Sequence, residues 1–208
     1  MLTYQVSSND VNSVHIGRRN HMDEYDNEIV ADVAFDINDV DMLVLCIIYC
    51  RDNKATLRTR FQKESLIYNM VYGNPKSHDP YYFCGYSDDI DESLQNIADS
   101  GLFSETPNGF KLTRFGSIIT EYKKNNGYSE MYDRVRRLNK SLDDIDDKSL
   151  VAITYKLFPE FTSNSTIQQS MNALLINMYL DGKHISEWTY NEFIDEITRG
   201  TSFKITRN

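Results

Sequence analysis

The stretch from Ser87 to Gly101 concentrates the side chains of this sequence best suited to a contact function. Ile90, Leu94 and Ile97 recur at helical spacing, which predicts a helix with one buried face. The opposite face is acidic and contains no lysine or arginine. Its outward positions are Asp91, Glu92, Gln95, Asn96 and Asp99.

Two kinds of chemistry suit these outward residues. The amides of Gln95 and Asn96 can hydrogen-bond the edge of an adenine base. The carboxylates suit a basic protein surface instead, because affinity for DNA comes largely from neutralising phosphates. A structural explanation also exists for Asp88, Asp89 and Asp91. Acids in the first turn of a helix complement its dipole by ~0.3–1 kcal/mol each, and we favour this explanation for those three residues.

Basic side chains that could contact phosphate occur in other segments. Three lie in the helix predicted ahead of the acidic one, one lies near a predicted hairpin, and three lie in "RVRRLNK". In chain order they are Arg58, Arg60, Lys63, Lys111, Arg134, Arg136 and Arg137. For the last three, ion pairing with the acids of "DDIDD", Asp143 to Asp147, is the favoured interpretation.

The sequence offers no catalytic pattern. It lacks a glycine-rich phosphate loop, a G-x-S-x-G segment and an H-E-x-x-H segment. We therefore expect no enzyme activity and no cofactor. A metal site is conceivable from three cysteines and one histidine, but no C-x-x-C pair is present, so none is predicted. Those four residues are Cys46, Cys50, Cys84 and His78.

Composition and charge narrow the partners further. The net charge of −9 disfavours indiscriminate binding to nucleic acid or to anionic membranes. The longest apolar run, Met42 to Cys50, is far shorter than the ~20 residues of a membrane-spanning helix. The first ten residues do not resemble a signal peptide, so a cytoplasmic location is expected.

The pattern between residues 29 and 125 predicts a small set of elements. Alternation of apolar and polar residues over Ile29–Ile37 predicts a strand. Asn38 or Asp39 can cap a buried helix ending at Cys50. A second helix spans about 56–72, with Leu57, Phe61, Tyr68 and Val71 on one face, and the acidic helix is the third. A hairpin turning at Pro107–Gly109 and a helix capped by Thr113 complete the series.

The remainder of the chain, from Gly127 onward, predicts a helical tail. Apolar residues at helical spacing indicate helices near 131–142 and 150–157. A Ser165–Gln168 capping box opens a helix with Ile167, Met171, Leu174 and Met178 facing inward, and a Thr189–Glu192 box opens the last helix. These apolar stripes predict a homodimer built by helices within 129–199.

Two motifs carry a family resemblance. "GFKLTRFG", from Gly109 to Gly116, resembles the aromatic-x-Leu-Thr-x-x-Gly stretch that leaves the wing in PadR- and MarR-like regulators. "RTRFQKE", from Arg58, resembles the T-R-x-Q-K helix of uncharacterised archaeal and phage-associated winged-helix proteins.

The resemblance implies a mainly α fold with a small β-sheet. A winged helix-turn-helix domain over 29–127 is followed by a C-terminal helical domain over 128–208. Residues 1–28 form an N-terminal extension that we expect to be poorly ordered, with Met1 and Met22 both open as starts.

Two functions remain as hypotheses. The resemblance implies a non-catalytic, dimeric transcription regulator that binds double-stranded DNA through the basic residues. The residue chemistry favours the alternative, a winged-helix interaction module whose acidic third helix docks a basic protein partner.

Overall fold

The computed structural model describes residues 27–52, 54–73, 78–81 and 84–208. Most of the predicted N-terminal extension, and with it the choice between Met1 and Met22, lies outside these residues. The described chain is mainly helical and contains two small antiparallel sheets. This agrees with the predicted fold class at the level of a mainly α protein with little β structure.

Between Asn27 and Lys123, the described residues form five helices and a hairpin. In chain order these are α1 (Asn27–Asp36), α2 (Asp39–Tyr49), α3 (Arg58–Tyr72), α4 (Asp88–Asp99), β1 (Phe103–Thr106), β2 (Gly109–Leu112) and α5 (Arg114–Lys123).

A kinked connection, Lys124–Tyr128, leads into the second part. The longer elements there are α6 (Ser129–Leu142), α7 (Asp147–Leu157), α8 (Gln168–Leu175), β3 (Met178–Leu180), β4 (Lys183–His184), α9 (Tyr190–Arg199) and β5 (Ile205–Arg207). Short 3₁₀ turns occupy Pro159–Thr162 and Ile185–Glu187.

The strand predicted over 29–37 is wrong, because residues 29–36 lie in helix α1. Val30 and Ala34, four residues apart, are buried, and α1 packs against α5. Phe35, which the strand would have buried, is 89% exposed. Apolar residues in this segment satisfy a period of two and a spacing of four at once. The available neighbour is a helix rather than a sheet edge, and this decides in favour of the helix.

The start of α2 confirms the predicted cap. The Asn38 side-chain oxygen accepts hydrogen bonds from the backbone N–H groups of Val40 (2.8 Å) and Asp41 (3.0 Å). The Asp41 carboxylate accepts from the Asn38 backbone N–H in return. Residues 41–48 are buried without a break, so α2 is the central helix of the fold, as its apolar composition predicts.

The hairpin and the helix after it also follow the prediction. Phe103 pairs with Leu112, and Thr106 pairs with Gly109 across the turn. Thr56 adds a further bridge to Phe110, with backbone hydrogen bonds of 2.8 and 2.9 Å. The Thr113 hydroxyl accepts from the Gly116 N–H at 3.0 Å and caps α5.

The tail departs from the prediction at α8. The Ser165 hydroxyl accepts from the Ile167 N–H rather than from Gln168, so no capping box forms there. Met178 lies in β3, which pairs with β4 and β5, instead of continuing the helix. The Thr189–Glu192 capping box of α9 is confirmed.

The two parts of the chain pack directly on each other. Helix α6 lies against α2, and α7 lies against α3. The buried Asn139 side chain donates to the carbonyl of Ile47 at 2.7 Å and connects α6 to α2. The junction between the two parts is a kink, where Asn126 and Gly127 leave helical geometry.

Residues 78 and 84–85, ahead of α4, contact side chains of α3. Asp79 and Tyr86 exchange two backbone hydrogen bonds, of 2.8 and 2.9 Å. His78 is buried, and its Nε2 lies 3.2 Å from the Ser65 hydroxyl of α3. Burial, reinforced by the nearby Lys63 charge, lowers the pKa of His78 to about 4.

Replacement of Gly116 by alanine tests the packing of α5 on the hairpin. A Cβ at this position would overlap the carbonyl oxygen of Leu102. Alanine favours a helix by about 1 kcal/mol over glycine, but overpacking costs about 1–3 kcal/mol. We expect Gly116→Ala to lower the free energy of unfolding by about 1 kcal/mol, and by at most about 2 kcal/mol, in urea titrations. Ser117→Ala, at the next position, should stay within about 0.5 kcal/mol of the parent. A stabilised Gly116→Ala would contradict the described contact.

The low pKa of His78 predicts an acid-sensitive fold. The unfolded chain binds a proton near pH 6.5, whereas the folded protein does not until about pH 4. Stability is therefore lost as pH falls through this interval, by roughly 3 kcal/mol from this group. His78→Gln keeps a hydrogen-bonding side chain without the titration. Its free energy of unfolding should fall less steeply from pH 7 to pH 4, and equal slopes for the two proteins would exclude this role of His78.

Candidate functional site

Helix α4 presents the face that its sequence predicts. Ile90, Leu94 and Ile97 are buried, while the opposite side is open to solvent. The Ser87 hydroxyl caps the helix by accepting from the Ile90 N–H. Asp91 is half-buried, and the exposed residues are Glu92, Gln95, Asn96 and Asp99. The candidate site is therefore a helix face made of carboxylates and amides.

A groove of about 520 Å³ runs between this face and the start of α2. Four of its eight lining residues are carboxylates and none is basic, so the groove has a negative potential. Asp41, at its floor, is buried and accepts a 2.6 Å hydrogen bond from the Ser93 hydroxyl, which holds α4 beside α2. The lining residues are Asn38, Asp39, Val40, Asp41, Asp89, Glu92, Ser93 and Asn96.

The other edge of α4 contacts Arg58. This arginine forms an ion pair with Asp91, and its guanidinium carbon lies 5.4 Å from the centre of the Phe110 ring. Tyr86 also hydrogen-bonds Asp91. Burial and this carboxylate raise the pKa of Tyr86 to about 12. Of the basic residues predicted to contact phosphate on α3, Arg58 is the one that reaches the surface, and a carboxylate already neutralises it.

Arg60 lies inside the molecule, with 3% of its surface exposed. Its guanidinium donates to Glu64 at 2.7 Å and to Asp147 at 2.8 Å. It also donates to the carbonyls of Leu142 and Ile145 in the turn between α6 and α7. This side chain has no access to a phosphate and instead connects α3 to the tail.

Lys63 is equally buried, with 2% exposed. Its ammonium group donates to the carbonyls of Cys84 and Gly85, both at 3.0 Å, just ahead of α4. Burial lowers the pKa of Lys63 to about 8. Its neighbour Gln62 binds both backbone groups of Ser87 at 2.9 Å, so these two side chains of α3 fix the start of α4.

The polar side chains of the "TRFQKE" segment thus form contacts inside the protein, although the composition of the segment is typical of an exposed helix. Residues 60–68 of α3 are all buried, and their polar side chains contact other segments of the chain. A helix with Arg, Gln, Lys and Glu in succession usually indicates a solvent-facing surface. The sequence contains one signal for burial here. Phe61, Leu66 and Ile67 are spread around the circumference of the helix, so no side of it is entirely polar.

Two of the three arginines in the basic cluster of α6, predicted to contact phosphate, form ion pairs within their own helix. Arg134 pairs with Glu130 and lies over the Tyr72 ring at 5.1 Å, and Arg136 pairs with Asp133 at 3.3 Å. The Nε of Arg137 is buried without a hydrogen-bond partner among the described residues. On β2, Lys111 is exposed beside the hairpin.

Pairing of that cluster with "DDIDD" is not observed, so that prediction is wrong. Asp143 contacts Arg51 (3.6 Å) and Lys54 (2.8 Å), and Asp147 contacts Arg60. Asp146 contacts Arg207 at 2.8 Å. The turn between α6 and α7 bends over α3, so its acids meet cations that are distant in sequence.

Metal and membrane chemistry receive no support from the described residues. Within them, no group of three or more His, Cys, Asp and Glu side chains could hold a metal ion. Cys46 and Cys84 are buried, and burial raises the pKa of Cys50 to about 12, which keeps its thiol protonated. No helix in the described part of the chain has the length and apolar character to cross a bilayer.

Comparisons with protein-family models, with curated proteins and with solved structures found no match for this chain.

Arg58 and Arg60, two positions apart on α3, allow a matched test of surface and interior roles. Arg60→Ala leaves Glu64 without its closest partner and should lower the free energy of unfolding by about 3–5 kcal/mol. Arg58→Ala removes a half-exposed pair and should cost at most about 1 kcal/mol. Chemical denaturation of both variants gives the comparison. An Arg60→Ala protein as stable as the parent would show that this residue is not the internal connector described.

Proposed function

We propose that this protein is a non-catalytic interaction module of winged-helix type, whose acidic α4 face docks a basic protein partner. The order of α2, α3, α4, the β1–β2 hairpin and α5 supports the winged-helix arrangement. In that arrangement α4 occupies the place of the helix that reads DNA in related architectures. The exposed helix α4 is then still the contact surface, but its partner is a basic protein rather than DNA.

The observation that carries the proposal is the distribution of charge. Arg60 and Lys63 lie inside the protein, and Arg58 is paired with Asp91. The groove between α2 and α4 has carboxylates and no cations among its lining residues. A DNA duplex would meet these carboxylates with its own phosphates, whereas lysine or arginine side chains of a protein would find complementary charge.

Binding of DNA remains the second candidate. Lys111 and Arg136 are exposed, so a phosphate contact beside the hairpin or on α6 has chemical groups available. The carboxylates on α4, where contacts with bases would occur, would repel the DNA phosphates. The predicted homodimer is a separate expectation. Met171 and Met178 of the apolar stripe that suggested it are buried within the single chain.

Neutralising the α4 face tests the proposed function. The variant Asp89→Asn/Glu92→Gln/Asp99→Asn changes three exposed carboxylates to amides of the same shape. Because these carboxylates provide the attraction, we expect weaker binding of a fluorescent peptide of alternating lysine and serine, and a shallower dependence of affinity on salt between about 50 and 200 mM. Fluorescence anisotropy measures both quantities.

A matched control separates local from overall charge. Asp144→Asn/Glu187→Gln/Asp195→Asn also removes three exposed carboxylates but lies away from α4. It should bind the peptide nearly as the parent does. If both variants lost the same affinity for the peptide, net charge alone would explain the loss and the proposed docking site would be wrong. Tight binding of random duplex DNA by the parent, abolished by Lys111→Ala/Arg136→Ala, would favour the second candidate.

A further inference from the structure

An aromatic patch adjoins the acidic face of α4. The rings of Tyr81 and Tyr86 pack at 4.8 Å between centroids, and 42% of Tyr81 is exposed to solvent. Leu57, which is also exposed, precedes Arg58 at the same edge. Tyr86 directly precedes the Ser87 cap of α4, so its ring contact with Tyr81 places both tyrosines beside the start of the acidic helix.

The patch and the groove lie on the two sides of one ridge. Asp91 faces Arg58 and Tyr86, while Asp89 and Asn96 face the groove. The helical period places Glu92 between these two edges. A partner that crosses α4 would therefore contact carboxylates and tyrosine rings together.

The chain itself contains an example of the contact that such a surface provides. Arg58 pairs with the Asp91 carboxylate of α4 and lies over the Phe110 ring at the same time. A guanidinium group is planar, so it can bond a carboxylate through its edge while its face stacks on an aromatic ring. An ammonium group satisfies the carboxylate but stacks less well, since it is compact and strongly hydrated.

We infer that the partner engages this surface with arginine rather than lysine side chains, held between the carboxylates of α4 and the exposed ring of Tyr81. The inference rests on the proposed function and specifies the partner's chemistry: an arginine-bearing protein segment that runs across α4 onto Tyr86 and Tyr81. The charge of the surface complements that segment, and the exposed tyrosine adds selectivity that charge alone does not supply.

Two peptides and two variants test this inference. The peptides alternate serine with arginine or with lysine and have equal length and charge. The full-length parent should bind the arginine peptide about threefold more tightly, as exposed cation–π contacts predict. Tyr81→Leu should abolish this preference, and Tyr81→Phe, which keeps the ring, should retain it. The salt dependence should be the same in all three proteins, because no charge has changed.

The outcomes separate this inference from the proposed function. If neither peptide binds, the proposed function fails. If both bind equally, or if Tyr81→Leu keeps the arginine preference while neutralised α4 loses binding, the function stands and the role of Tyr81 is overturned. Thermal denaturation verifies that each variant folds, and Tyr81→Gln repeats the test if Tyr81→Leu does not.

Discussion

The carboxylate of Glu64 is completely buried, and much of the architecture is arranged around it. An isolated buried charge costs several kcal/mol, so it persists only where cations and further hydrogen bonds compensate for the lost water. Arg60, at 2.7 Å, and Arg51, at 3.3 Å, both donate to Oε1 and compensate for part of this cost. Oε2 has no hydrogen-bond partner among the described residues, and burial raises the pKa of Glu64. Arg60 extends the network to Asp147 and to the carbonyls of the α6–α7 turn. One carboxylate thus holds together the end of α2, the body of α3 and the tail.

This network has a consequence for the surface. The cations of "RTRFQKE" are engaged in holding segments together, which leaves few of them for an external anion. Acids on α4 have no comparable internal duty, except Asp91, which pairs with Arg58. Around α4, the cations Arg60 and Lys63 lie inside the protein, whereas the α4 carboxylates Asp89, Glu92 and Asp99 are exposed. This local distribution of charge is the physical basis for preferring a basic partner over DNA.

The candidate surface is also held rigidly. Gln62 and Lys63 fix the segment that enters α4, and the hydrogen bond between Asp41 and Ser93 fixes the helix against α2. A preformed face loses little conformational entropy when a partner binds, so modest contacts can suffice for recognition. Lys63, which the sequence predicts to contact phosphate, therefore contributes indirectly, by positioning the helix that we propose as the docking element.

Features that depend on residues within a few positions of one another could be predicted from the amino-acid sequence. All of the following are found in the structure: the Asn38 cap, the turn at Pro107–Gly109, the Thr113 cap and the amphipathic character of α4. Features that depend on residues distant in the sequence were set by tertiary packing. Residues 29–36 became helical because they pack on α5. Arg60 is an interior residue because the folded chain brings Asp147 against it. Asp147 lies 87 positions away in the sequence, and charge pairing over such a separation leaves no periodic pattern that could predict it.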